Sequence, residues 1–158
     1  MASLNSALLD SYLGKHIDEI CPAKYVAENH CAHFVGHVLD LRIGYQCTAT
    51  PGVSVKVQKI FEACPSGAEL HNCQGSYPTG LLFVTQEGNV NLQSMTMANV
   101  PKKHIGIVCG GKVWHYSNTR HRVVSELVEQ FLDHYPNQRN GLWLCPLPVG
   151  AVAHSLGQ

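Results

Sequence analysis

Apolar positions in this chain recur first at helical spacing and later at every second residue, so the pattern divides into two regions. Leu4, Leu8, Leu9 and Tyr12 predict a helix over residues 3–13, with Ser3 as its cap and Gly14 as its stop. Pro22 separates this helix from a second one, in which Phe34, Val35, Val38, Leu39 and Leu41 form an apolar stripe behind an N-cap at Asn29. After Gly44, Val53, Val55 and Val57 alternate as in a strand, whereas Pro51, Ile60 and Phe61 suit a helix beginning near Thr50. The helix is preferred. Residues 64–80, dense in Gly, Pro, Ser and Asn, predict a long surface loop. From residue 81 the period is two: LLFVTQ, VNLQ after an EGN turn, HIGIVC, KVWHYSN and GLWLCPL all read as strands. Between the last two, VVSELVEQFLDHY places Val124, Leu127, Phe131 and Leu132 on one helical face, and Pro136 follows its end.

The second helix carries the first candidate chemistry. Cys31 falls in its first turn, in the middle of the apolar stripe, where unpaired backbone N–H groups favour thiolate over thiol. Tyr25, six residues earlier, can place its hydroxyl in the same cleft. A free cysteine is more often a small buried hydrophobe, so Cys31 needs a histidine partner to mean more than that.

The sheet supplies one. Gly110-Gly111 between alternating strands is the composition of a two-residue primed turn, and that turn sets a register. Cys109 then faces Lys112, Val108 faces Val113, Gly106 faces His115 and His104 faces Ser117. Ile105, Ile107, Trp114 and Tyr116 form the core-ward face, leaving His104, Gly106, His115 and Ser117 on the other. His104 and His115 are diagonal neighbours, about 7–8 Å apart at the backbone, a gap that imidazole rings bridge. Gly106 leaves room for them to meet. A helix-start thiol, a histidine to share its proton and a polar group to orient that histidine are the parts of a cysteine hydrolase.

Composition narrows the choice of partners and compartment. The 158 residues fit one domain over the whole chain, long enough to fold without staples. Lys plus Arg and Asp plus Glu are both 11, and this balance gives no field to attract nucleic acid or an anionic membrane. The first twenty residues lack the pattern of a signal peptide, which predicts synthesis in the cytoplasm. Seven cysteines with no C-x2-C pair are many for a reducing compartment. With Cys31 set aside, Cys21, Cys47, Cys64, Cys73, Cys109 and Cys145 can form up to three bridges, Cys64–Cys73 being the first pair to test, or all seven can stay reduced.

The segments NHCAHFVGHVL and HIGIVCGGKVWHYSN together resemble the NlpC-type and CHAP-type cell-wall cysteine peptidases and amidases of the papain-like superfamily, over roughly residues 25 to 147. The resemblance implies an α+β, papain-like fold, with the nucleophile helix packed on an antiparallel sheet of four to six strands. It implies Cys31 as nucleophile, His104 as base and His115 as orienting residue, without cofactor or metal. Tyr25, His30, Ser117 and Asn118 are candidates for substrate or oxyanion contacts, and Ser117 or Asn118 would orient the base if the hairpin register slipped. The implied substrate is a peptide of peptidoglycan, cut in its stem or cross-link. Small signal-less members include amidase toxins injected into rival bacteria, which implies specialised delivery to an oxidising periplasm and an immunity protein as partner. This chain has His30-Cys31-Ala32-His33 where the family usually has Asp-Cys-Ser-Gly, a departure that bears on substrate more than on chemistry. The same dyad also serves glutamine deamidation and acyl transfer. A zinc-binding or purely structural module is a third reading, because His30, His33 and His37 share a narrow helical stripe with Cys31 nearby. No H-E-x-x-H is present, and the stripe reads as a solvated face.

Overall fold

A computed structural model of the chain describes residues 4–21, 30–43, 47, 56–71 and 77–156. Two short helices come first, α1 (Ser6–Asp10) and α2 (Ile17–Ile20). Asn5, not Ser3, caps α1: its side-chain oxygen accepts the Leu8 N–H at 2.8 Å. Ser3 lies outside the described residues, as do Tyr25, Asn29 and Cys73. Helices of five and four residues are not stable alone, and burial of Leu8, Leu9 and Ile17 holds these in place.

Helix α3 (His30–Leu39) is buried on nearly every side, from Cys31 through Gly36 and again at Val38 and Leu39. The stripe that reads as solvated is therefore only partly so: His33 is 1% exposed, and His30 and His37 are half-buried. Helix α4 (Val57–Glu62) buries Ile60 and Phe61, as the pattern predicts, but it starts at Val57 rather than near Thr50, with Lys56 extended before it. Val53 and Val55 lie outside the described residues.

Among the described residues eight strands follow. They are β1 (Ala68–Leu70), β2 (Gly80–Gln86), β3 (Val90–Asn91), β4 (Thr96–Met97), β5 (Lys103–Cys109), β6 (Lys112–Ser117), β7 (Arg122–Leu127) and, after helix α5 (Val128–Leu132), β8 (Asn140–Cys145). Six form one antiparallel sheet in the order β1-β8-β2-β5-β6-β7, an α+β architecture with the predicted number of strands. Three local readings of the pattern are corrected. The presumed loop over residues 64–80 contains edge strand β1, paired to β8. The VNLQ segment does not join the main sheet, because β3 pairs only with β4 in a separate ribbon. Residues 122–127 are strand rather than helix: the β-branched pair Val123-Val124 lies opposite Tyr116 and His115 of β6, and α5 is only the five residues that follow.

Both faces of the sheet are covered. Leu81, Phe83, Ile105, Ile107, Trp114 and Tyr116 pack with α3 and α4 in the larger core, whereas Leu82, Val84, Val108 and Val113 pack with Val128 and Phe131 of α5 in a second one. Burial on both faces explains why β2 reads GLLFVT without a polar alternation. The hairpin face bearing His104 and His115 is thus an interior face closed by α5, not an open one. Among the described residues no helix is long and apolar enough to cross a membrane.

Candidate active site

The turn between β5 and β6 sets the geometry of the site. Gly110 and Gly111 have φ of 61° and 87°, a primed turn, and the pairs Cys109–Lys112, Val108–Val113 and Ile107–Trp114 match the register read from the sequence. On that register His104 Nε2 comes to 2.9 Å from His115 Nδ1. Gly106 permits the approach, since a Cβ there would stand 2.5 Å from Val113 Cγ2 and 3.2 Å from the His115 Cβ. The chain of contacts then runs one strand further: His115 Nε2 lies 2.8 Å from the Glu126 carboxylate on β7. Sequence reasoning misses Glu126 because it reads residues 123–135 as a helix. Read as a strand, residues 122–127 place Glu126 on the same face as His115.

Proton positions follow from the partners. A carboxylate only accepts, so His115 donates from Nε2 to Glu126. With one proton on each ring, its Nδ1 then accepts from His104 Nε2–H. This leaves His104 Nδ1 with a bare lone pair, and that atom is buried without a hydrogen-bond partner. Burial, reinforced by His115 and His134, holds the His104 ring well below the ordinary histidine range, so it is neutral. His134, just past α5, stacks on it with ring centroids 4.0 Å apart and planes 12° from parallel. The three histidines bring ring nitrogens within 4.8 Å of one another. A shared ion would have to lie in both stacked planes, and parallel rings at this separation do not allow that.

Cys31 approaches the same point of β5 from the α3 side. Its sulfur is held by the backbone N–H groups of Ile105, Ala32 and Cys31 itself, and the Ile105 amide is the one directly after His104. Successive side chains of a strand point to opposite faces, so Cys31 meets β5 at the residue after His104, on the face that carries Ile105, while the His104 ring packs with Phe131 on the other. Burial pushes the Cys31 thiol up to about 11, outweighing those N–H groups and the Lys103 ammonium, which all pull it down. This corrects the expectation of a thiolate at neutral pH. Cys31 is thus a thiol and His104 a neutral imidazole.

Two clefts open onto this stretch. One, of about 670 Å³, is lined by His30, Cys31, Lys56, Lys103, Asn118 and Tyr135 among others. The second, of about 710 Å³, is lined by His115, Ser117, Glu126 and His134, and shares Pro101, Asn118 and Tyr135 with the first. His104 lines neither and lies behind them, 1% exposed.

Of the other predicted residues, His30 sits at the cleft wall, edge-on to Tyr116 at 5.4 Å. Ser117 turns into its own loop, 3.2 Å from both the Thr119 hydroxyl and the Arg120 N–H, which it accepts. Asn118 is exposed where the clefts meet. Among the described residues the cysteines carry no disulfide. Cys64 hydrogen-bonds Cys145, a contact that, with burial, pushes its thiol far up. His33 meets Cys47, a partner the sequence did not suggest, and His37 meets His33.

Comparison with family models, curated proteins and solved structures gives no match to this chain.

Proposed function

We propose that the chain is a thiol-dependent amide hydrolase of papain-like, NlpC-type architecture, with Cys31 as nucleophile, His104 as base and His115 as orienting residue, steadied in turn by Glu126. One observation carries the reading: His104 Nδ1 is a buried, unpartnered acceptor whose own strand also supplies the amide that holds the Cys31 sulfur. An orphaned buried nitrogen costs about 1–3 kcal/mol and needs a reason, and receiving the thiol proton is one. The carbonyl carbon of the scissile amide is attacked by Cys31 Sγ as its proton passes to His104 Nδ1. His115 and Glu126 stabilise the imidazolium, and the N–H groups at the start of α3 receive the oxyanion. The tetrahedral intermediate expels the amine, which takes the proton from His104 and leaves a thioester. Water, deprotonated by His104, then hydrolyses the thioester and restores the thiol.

The proposed substrate is a peptide of peptidoglycan, entering where the two clefts meet at Asn118 and Tyr135. The test is incubation with purified peptidoglycan fragments followed by mass analysis, with the Cys31→Ala protein alongside. New amino termini that need Cys31 are the expected result. Release of ammonia from glutamine side chains would assign the same thiol to deamidation, and no Cys31-dependent product from either substrate would overturn the reading.

A further inference from the structure

A second cluster of nucleophilic and basic groups lies away from the dyad and takes no part in the proposed reaction. Cys21 ends α2, His33 and His37 stand one turn apart on α3, and Cys47 follows α3. Their ligand atoms all lie within 4.8 Å of one another. Three of the separations are 3.4 Å between the Cys21 and Cys47 sulfurs, 3.3 Å from His33 Nε2 to Cys47 Sγ, and 3.1 Å between the two Nε2 atoms. Tetrahedral zinc with Zn–S of about 2.3 Å and Zn–N of about 2.05 Å requires edges of about 3.8, 3.6 and 3.3 Å respectively. The observed edges follow the same order and differ from these by only a few tenths of an ångström.

We infer that Cys21, His33, His37 and Cys47 bind one zinc(II) ion in a closed, structural site that fastens the end of α2 and the segment after α3 to the face of α3. Two thiolates with two imidazoles at tetrahedral spacing select zinc over the hard oxygen-seeking cations. All four positions are filled by the protein, so none is left for water or substrate, and the role is mechanical. Mechanical help suits this place, since α2 has only four residues and is otherwise anchored through the buried Ile17. Uptake of the ion displaces the two thiol protons and oxidises nothing. A Cys21–Cys47 disulfide is the competing fate of the same sulfurs, and it would leave His33 and His37 without their partners.

The experiment uses the full chain, without a histidine tag, purified in reductant and free of chelator. Metal analysis should find one zinc per chain, and the cobalt(II)-substituted protein should show the visible bands of a tetrahedral ion together with thiolate-to-cobalt charge transfer. Cys47→Ser and His37→Gln should each lose the zinc or release it at least tenfold more readily to a chelator, whereas Cys31→Ser and His134→Phe should keep it. The inference is overturned if the wild-type chain retains no zinc after incubation and buffer exchange, if peptide mapping finds a Cys21–Cys47 disulfide in its place, or if Cys47→Ser binds as tightly as wild type. The cobalt spectrum reads the wild-type protein, so it decides the matter even where a variant fails to fold. None of these readouts depends on catalytic turnover.

Discussion

Two histidine clusters in this protein are built on opposite plans. On the sheet, His104, His115 and Glu126 form a line in which each member touches the next at 2.9 and 2.8 Å, and the line ends in the buried, unpartnered Nδ1 of His104. On α3, four ligand atoms converge on one point, each within 4.8 Å of the other three. A line of donors and acceptors can relay a proton along itself. A convergent set encloses a cation and leaves nothing open. Residue types alone do not separate the two plans, since both use imidazole beside sulfur, but the pattern of contacts does.

The largest expected effect breaks the comparison at its functional end. Cys31→Ala and His104→Ala should each lower kcat by about a thousandfold or more, the loss seen when an activated nucleophile or its base is removed. Cys31→Ala should keep the melting temperature within a few degrees of wild type, because only one sulfur is lost from the core. His115→Asn should retain more activity than His115→Ala, and both should exceed His104→Ala. Steady-state kinetics beside thermal melts checks all four variants. A Cys31→Ala protein that melts far below wild type yet keeps its turnover would return Cys31 to being a packed hydrophobe.

Next in size is the effect of removing the ion. Stripping zinc with a strong chelator should lower the melting temperature by ~10 °C, the shift that about 3–4 kcal/mol produces in a domain of this size. Scanning calorimetry with and without added zinc reads it directly. If the linear cluster held the metal instead, His134→Phe would abolish the chelator effect, and Cys47→Ser would not.

Acid should act on the linear cluster through its depressed histidines. Burial, with His115 next, lowers His134 to about 4, and His104 is held well below its ordinary value. Unfolded, both return to about 6.5 and take up protons that the folded state refuses. Stability is therefore unaffected by them above pH 6.5 and falls as pH drops toward 4. Glu126 adds to the loss below its ordinary range, because its hydrogen bond from His115 keeps the folded carboxyl ionised to lower pH. Melting temperature followed from pH 7 to pH 4 should decline, and His134→Phe, which keeps the stack on His104 but cannot protonate, should decline less steeply. Equal slopes for the two proteins would show that His134 titrates normally in the fold.

What the sequence disclosed and what it hid have the same physical origin. The meeting of His104 and His115 was legible because a two-residue glycine turn and a strict period of two fix every pair on the hairpin. Glu126 was not, because Val124, Leu127, Phe131 and Leu132 also satisfy helical spacing. The choice fell to the free edge of β6, which needed a partner. Edge strand β1 was hidden by the glycine and prolines around its three residues. His33 and His37 showed their one-turn spacing plainly, but their partners Cys21 and Cys47 are brought in by tertiary packing, and no local ligand motif announces them. The thiol of Cys31 was placed correctly on its helix and misjudged in its ionisation, since a periodic pattern gives the buried side of a helix but not the depth of burial.

The smallest effect tests the far end of the line. Glu126 accepts the Nε2–H of His115 at 2.8 Å, and its side chain is 28% exposed along the second cleft. Gln fits the same space and can still accept through its amide oxygen, so Glu126→Gln keeps the hydrogen bond and removes only the charge. In the proposed mechanism the charge matters when His104 holds the thiol proton, because the resulting imidazolium is then two hydrogen bonds from a carboxylate rather than from a neutral amide. The expected result is a fall of about tenfold in kcat, or ~1.4 kcal/mol, with KM unchanged and the melting temperature within a degree or two of wild type at neutral pH. Glu126→Ala should fall further, because His115 then loses its acceptor and is free to adopt the other tautomer, which would place a proton on Nδ1 and turn the His104 contact around. If Glu126→Gln matches wild type in kcat while Ser117→Ala or Asn118→Ala is crippled, the line ends at the loop after β6 and Glu126 is only a surface partner of His115.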